Sequence, residues 1–397
     1  MNWLRHRNRR SAWVALTLPA SLLVTPLVEV APASAAYGPP GAPQPNPAFA
    51  MPLAGAVTAA STTWATVVMG RNDGNFDLFW QLFTMNPTTG RFALVTPPGV
   101  ADNGGLMVGP STSGSTLVGF GASQGLKFSP LALSTNAGKQ WTTGGLPDAL
   151  VAAPSVIGLS SGTQALALVS SGGGQVLRRS GGLTSWNTLT TRTALAKTPA
   201  GQSCDIGSLE GVAFDSSATP VIGASCKRPD TPGVFVDSDR QWHLADIPVA
   251  SSLVTDTFAT VRLDSHSALF AAVHQHTVHL VAAWAPTGNR PWSMSPALSV
   301  ASTSDLLASG TGPGNTQFVV VRQGKNVRAL TVAGPGKEWT ALPTLPARTA
   351  TIAIEPGGGI DALSVDVTKL SVWNLDSAAS WTKTQTISVP IVFGSSG

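Results

Sequence analysis

The sequence predicts an all-β chain, built as seven repeats of four antiparallel strands arranged in a ring. Three observations carry this. An aromatic residue recurs at one point of a repeated pattern, at Phe92, Trp141, Trp186, Trp242, Trp292, Trp339 and Trp381, with a period of about 48 residues. Between these aromatics lie short apolar runs divided by Gly, Ser, Asn, Asp or Pro clusters, the pattern of an up-and-down meander. The chain is also rich in turn formers, with 41 Gly and 30 Pro, and only 11% of its residues are charged. Four strands at this period match the blade of a seven-bladed β-propeller, and closing the ring removes the edges an open array would expose.

The N-terminus stands outside this pattern. Arg5, Arg7, Arg9 and Arg10 precede an apolar run from Ala12 to Val28 and the small residues Ala33-Ser34-Ala35-Ala36. That order describes a secretory signal over residues 1–36, cleaved near Ala35 or Ala36. The competing account is a membrane anchor, but Pro19 and Pro26 interrupt the run and small residues follow it at signal-peptide distance. Residues 37–52 are dense in Pro, which lacks a backbone donor and fixes φ, so they read as an extended linker before a propeller domain over 53–397.

Removing the signal takes four Arg and one Glu from 24 basic and 20 acidic residues, leaving a net charge of +1. Nucleic-acid binding then has no electrostatic basis. The expected product is a monomer, secreted free or held at the cell envelope, that does not span the membrane. Its two cysteines, Cys204 and Cys226, flank the hairpin Leu209–Phe214 and Pro220–Ser225 at its open end, and an oxidising compartment favours a bond between them.

The repeats follow in order. The first runs Leu53–Ala59, Thr63–Met69 and Leu78–Met85 to Phe92; the second Leu106–Gly109, Thr116–Phe120 and Leu126–Leu133 to Trp141. The third gives Ser155–Leu159, Ala165–Val169 and Gln175–Arg179 before Trp186, and the fourth adds Val234–Asp237 and Trp242 to the cysteine hairpin. Thr257–Leu263, Ala268–Val273 and Val278–Trp284 lead to Trp292; Asp305–Ser309, Gln317–Arg322 and Val327–Val332 lead to Trp339. Thr351–Glu355, Asp361–Val365 and Lys369–Trp373 lead to Trp381. Helix has no evident place. Ser388–Phe393 is left over, either to clasp the first repeat in place of Leu53–Ala59 or to lie along an edge, the position that suits Pro390.

The stretch Ser134-Thr-Asn136-Ala-Gly138-Lys-Gln-Trp141 resembles the Asp-box of the bacterial neuraminidase repeat, Ser-x-Asp-x-Gly-x-x-Trp, with Asn136 at the Asp position. Its residues suit a hairpin between third and fourth strands: an Asx side chain bonds the turn, Gly138 takes positive φ and Trp141 packs between blades. The boxes ending in Trp186, Trp242, Trp339 and Trp381 are eroded versions. The resemblance implies a sialidase-like propeller whose boxes lie opposite the active face. Sialidase chemistry does not carry over with it, because that family uses a Tyr paired with a Glu. Here the only Tyr is Tyr37 in the linker, and the mature Glu residues are Glu210, Glu338 and Glu355.

The function these residues favour is a non-catalytic binding module holding a glycan, peptide or partner protein. The turns between second and third strands share one end of the ring with the inter-blade connections. There the sequence places Arg71, Asp73, Lys227, Arg228, His274, His276, Arg322 and Lys325, a basic set suited to an anionic or sugar-like ligand. The alternative is a glycoside hydrolase using two carboxylates drawn from Asp73, Asp102, Asp205, Asp230, Asp256, Asp305 and Asp366, most of which suit turns equally well. Gly121-Ala-Ser123-Gln-Gly125 matches a hydrolase nucleophile pattern but lies between two strands, where no helix follows the Ser. His274-Gln-His276-Thr-Val-His279 has no Cys, Asp or Glu within it to complete a metal site, so neither metal nor cofactor is expected. Trp64, Trp80, Trp284 and Trp373 lie inside strands, as core or, if exposed, as a stacking platform for sugars.

Overall fold

The computed structural model describes residues 54–71, 77–97, 105–121, 128–275, 277–285, 291–301 and 304–390. The expected signal, the linker and the tail after Val389-Pro390 lie outside these residues, as does Gly121–Gly125 from Ala122 onward. At 58% strand and 5% helix the fold is nearly all β. Its strands pair with their chain neighbours as antiparallel meanders, each short apolar run bonding to the next across a tight turn.

The first meander is β1 (Gly55–Ala59), β2 (Thr62–Arg71), β3 (Asp77–Asn86) and β4 (Arg91–Leu94), followed by β5 (Leu106–Pro110), β6 (Thr116–Phe120), β7 (Ser129–Ser134) and β8 (Thr142–Leu146). After the short β9 (Ala149–Leu150) come β10 (Ile157–Leu159), β11 (Ala165–Ser171), β12 (Gly174–Ser180) and β13 (Asn187–Thr191). Next are β14 (Ile206–Phe214), β15 (Pro220–Cys226), β16 (Gly233–Ser238) and β17 (Gln241–Leu244), then β18 (Thr257–Leu263), β19 (Ser267–His274) and β20 (Thr277–Trp284), edged by β21 (Ser293–Met294) and β22 (Leu298–Val300). The chain continues with β23 (Asp305–Thr311), β24 (Gln317–Gln323), β25 (Asn326–Val332) and β26 (Thr340–Ala341), and finally β27 (Thr349–Ile354), β28 (Ile360–Asp366), β29 (Lys369–Leu375) and β30 (Trp381–Ser388).

The recurring aromatics sit where each fourth strand begins, and there they fasten one meander to another. Trp141 donates from Nε1 to the Val95 carbonyl at 3.0 Å and meets Trp64 edge-on, with ring centroids 6.5 Å apart. Trp339 donates to the Pro296 carbonyl at 3.1 Å. Trp186 and Trp242 pack against the apolar cluster of the third and fourth meanders, Trp292 against that of the fifth, and Trp381 against that of the last. Before Trp141 the turn forms as its residues require: the Ser134 hydroxyl accepts from Gly138 N at 2.9 Å, Asn136 Oδ1 accepts from Gln140 N at 2.9 Å, and Gly138 has φ of +80°. Trp64, Trp80 and Trp284 are buried core rings, and Lys383 lies over half-buried Trp373, so none of the four is an open platform for a sugar ring.

The first strands of the meanders crowd together. β1 pairs in parallel with β23 at Val57 and Thr311, and Val212 N of β14 donates to the Ser155 carbonyl at 2.6 Å. Such an approach demands missing side chains. A Cβ on Gly55 would stand 2.2 Å from the Ser309 carbonyl oxygen, and one on Gly310 1.9 Å from that of Ala56. The axis between these strands is therefore nearly filled.

Two features differ from the sequence reading. Two short helices, α1 (Arg192–Ala196) and α2 (Pro199–Cys204), interrupt the third-to-fourth connection. The Thr191 and Thr198 hydroxyls cap them by accepting from Ala194 N and Gly201 N, each at 3.0 Å, and Pro199 occupies the first turn where its missing donor costs nothing. Of the two closures expected for Ser388–Phe393, the one that displaces Leu53–Ala59 is not seen: β1 stays the first strand of its meander, lying between β23 and β2 in one sheet, and β30 ends at Ser388 on the outer edge of the last. Residues 391–393 lie outside the described residues. The two ends of the chain meet through side chains instead: Gln385 accepts from Phe92 N at 2.9 Å and donates to the Phe92 carbonyl at 2.8 Å. Thr58 and Thr63 donate to the Ile354 carbonyl, and Gly70 N to that of Val367.

Gln385 thus stands in for strand pairing between β4 and β30. Gln385→Ala should lower unfolding stability by about 1–3 kcal/mol in urea titrations, because both Phe92 backbone groups lose their partner. An unchanged midpoint would show that this clasp carries no closure.

Candidate functional site

In every meander the antiparallel order puts the turns between second and third strands at the same end as the connections to the next meander. At this end the structure locates the described candidates and gives several a partner. Arg322, closing β24, donates to Asp305 Oδ2 from both Nε and Nη2, at 3.1 and 2.7 Å. His274, closing β19, contacts Asp256 Oδ1 at 3.3 Å, and Gln275 N donates to Oδ2 of the same carboxylate at 2.8 Å. The backbone bond from Gln275, with His274 after it, holds the exposed Asp256 carboxyl below the usual carboxylate range. In the last meander the signs reverse and Arg348 pairs with Asp366. Residues at the start of three first strands thus pair with residues at the end of their own second strands. Lys325 is exposed in the turn of the Arg322 meander. The Arg71 side chain, Asp73 and His276 lie outside the described residues.

Lys227 and Arg228 differ. They follow β15, beside the bond between Cys204 and Cys226, whose Cα atoms are 4.8 Å apart. Lys227 N donates to the Asp205 carbonyl at 3.1 Å and Arg228 N to that of Cys204 at 3.2 Å, so the disulfide and two ladder-like bonds fix their backbone. Asp205 holds the left-handed cap of α2 at φ 51°. Both cations are exposed, and among the described residues neither is in an ion pair. With Ala196, Gln202, Asp205 and Pro229 they line an open groove of about 540 Å³ between the helical insertion and the turn.

The sequence reading placed Lys227 and Arg228 at this end but missed the wall opposite them. Its signal was present: Thr198-Pro199 is a cap followed by a first-turn Pro. The run is too short for a helical period to show.

Four of the carboxylates expected as candidates for hydrolysis have local partners among the described residues. Asp256, Asp305 and Asp366 are in the ion pairs above, and Asp230 accepts from Thr255 Oγ1 at 3.0 Å and sits in its own turn. Glu210 is buried in β14 and accepts from Ser208 Oγ. Asp73 and Asp102 fall outside the described residues. The one close carboxylate pair of the last meander is Glu355 with Asp361, bridged by Asn374 Nδ2 at 3.3 and 3.2 Å. Burial pushes the Asp361 carboxyl up to about 7, against the Asn374 bond, and the hydrogen-bonded Glu355 adds to the rise. Among the described residues no group of three His, Cys, Asp or Glu gathers as a metal site, and no helix is long and apolar enough to cross a membrane.

With this geometry in place, known proteins supply the fold context. No family model matches the chain, and no curated protein matches it. Among solved structures it is similar to a xyloglucanase from Xanthomonas campestris, at 13% identity and TM-score 0.48 over 82% of this chain. It spans about half of that enzyme, 52% of its length. A periplasmic gluconolactonase from Pseudomonas aeruginosa is similar at 14% identity and TM-score 0.48, covering 83% of this chain and 97% of that one. The β-propeller domain of the Trilobed protease from Pyrococcus furiosus is similar at 10% identity and TM-score 0.43, covering 87% and 98%. These likenesses concern the fold alone.

The buried pair yields a pH dependence. Asp361 has a raised folded pKa, so the stability its proton brings is complete below about pH 4, near the unfolded carboxyl value, and is lost as pH rises through about 7. Chemical denaturation across pH 4–8 should show this fall, and Asp361→Asn should flatten it. A wild-type profile already flat over that window would contradict the assignment.

Proposed function

We propose that the chain is an exported, seven-bladed β-propeller of four-stranded blades. In this reading it works as a binding module of the Asp-box type, and its ligand is an acidic glycan or peptide. Each meander is one blade, the first strands line the axis, and the Trp slots are the inter-blade contacts. The observation that carries the binding assignment is the contrast at the second-to-third-turn end. His274, Arg322 and Arg348 are matched by carboxylates of their own meanders, whereas Lys227 and Arg228 stand unpaired on a backbone held by the disulfide. Two cations on a backbone held by the disulfide, across a groove from a short helical wall, suit carboxylate or sulfate groups.

Export fits this reading, since the site's rigidity depends on a disulfide and residues 1–36 carry the pattern of a secretory signal. The disulfide closes a segment of 22 residues, which contributes about 3 kcal/mol in the chain-entropy account.

The test is a glycan array and acidic-peptide array probed with the secreted domain, beside Lys227→Glu/Arg228→Glu. Acidic ligands should be retained by the wild type, weaken as salt rises, and drop at least tenfold in affinity in the double variant. Reduction of the disulfide should also weaken retention. Equal binding by the double variant would remove the groove from the function.

A further inference from the structure

The opposite end of the axis holds a charged group that the binding reading leaves unused. Arg262 is the penultimate residue of β18, a first strand whose other residues are mostly apolar. Pairing with β19 slips between Thr260 and Arg262, an extra residue that re-aims the side chain that follows it. Arg262 is thereby turned toward the axis, with its side chain only 8% exposed.

A guanidinium carries five N–H donors and a charge that burial makes costly unless it is matched. Here Nη1 donates to the Ser309 carbonyl at 3.3 Å. Nε finds no acceptor within hydrogen-bond distance: its neighbouring carboxylate oxygen, Asp264 Oδ2, is 3.6 Å away and already accepts from Thr311 Oγ1 at 2.8 Å. Asp264 offsets part of the charge but leaves donors unused.

Two small cavities meet at this side chain. One, of about 20 Å³, lies toward Gly55, Trp64 and Val108. The other, of about 50 Å³, opens at the turns between first and second strands, where exposed Ser161 and Ser216 form its rim. At roughly 10–15 Å³ for one water-sized atom, the larger cavity has room for about three to five such atoms. That suits a carboxylate group and excludes a sugar ring. The second carboxylate at the mouth, Asp215, accepts from Ser217 N and Thr219 N, each at 2.8 Å, and so is taken up by its own turn.

We propose that this end of the axis is a binding site for a carboxylate, held by the planar fork of Arg262 and entered from the first-to-second-strand turns. A guanidinium matches a carboxylate in shape as well as charge, which a spherical anion does not. The site is separate from the Lys227 and Arg228 groove and stands or falls independently of it. Its ligand is either a free small acid or the carboxylate terminus of a longer chain.

The experiment follows thermal unfolding of the intact domain in sodium formate, N-acetylglycine and N-acetylglycine amide, each at one ionic strength set with sodium chloride. A carboxylate at about ten times its Kd should raise Tm by roughly 1–3 °C, the rise growing with the logarithm of its concentration above Kd, and the amide should not. A stronger response to N-acetylglycine than to formate points to a chain terminus, and the reverse to a free acid. Arg262→Gln should abolish the response. Because that variant removes a buried charge and can fail to fold, the wild-type Arg262 Nε–H resonance is followed as well. It should shift saturably with the carboxylate that raises Tm. No carboxylate-specific rise and no movement of that resonance, or an equal response to added chloride, overturns the proposal.

Discussion

Contact between the first strands at the axis is the constraint on which the rest of this structure depends. Strands from different meanders approach until backbone meets backbone, as β1 and β23 do across Gly55 and Gly310. Side-chain packing alone would hold them near 10 Å apart. Here the spacing collapses, and each meander is driven outward like a wedge with its apolar faces against its neighbours. The Trp residues at the outer edge then fill the space that widens with distance from the axis. Small residues inside and large rings outside are one solution to one geometric problem.

The crowded first strands leave little space between them: among the described residues the two cavities that meet at Arg262 measure about 50 and 20 Å³. Both candidate sites lie at the ends of these strands. At one, first and second strands pair charges within a meander, and among the described residues Lys227 and Arg228 are in no ion pair beside the helical insertion. At the other, a slip in the β18 ladder delivers one guanidinium into a space a few atoms wide. Both proposed sites rest on a local irregularity, a helical detour or a bulge, that breaks an otherwise repetitive scaffold.

That distinction explains how much could be read from the residues. The repeated slots, the meander order and the hairpin closed by Cys204 and Cys226 were legible, since each rests on a period or on spacing within one hairpin. The described residues Lys227, Arg228, His274, Arg322 and Lys325 lie at or beside second-to-third-strand turns. Their pairing was not legible, because Asp305 and Arg322 or Asp256 and His274 lie 17 and 18 residues apart and meet only through register. Arg262 was overlooked within the run Thr257–Leu263, although a lone charge in an apolar first strand was a signal in itself. Closure could not be foreseen, because a Gln385 that grips Phe92 from 293 residues away looks like any polar residue on an outer strand.

The central claim is that the first strands touch and that missing side chains let them. Gly310→Ala tests it most directly, measured by urea denaturation beside the wild type. With a Cβ placed 1.9 Å from the Ala56 carbonyl oxygen, the account predicts a loss of at least about 2 kcal/mol or failure to fold. A variant as stable as the wild type would mean that these strands do not meet and that the axis is open.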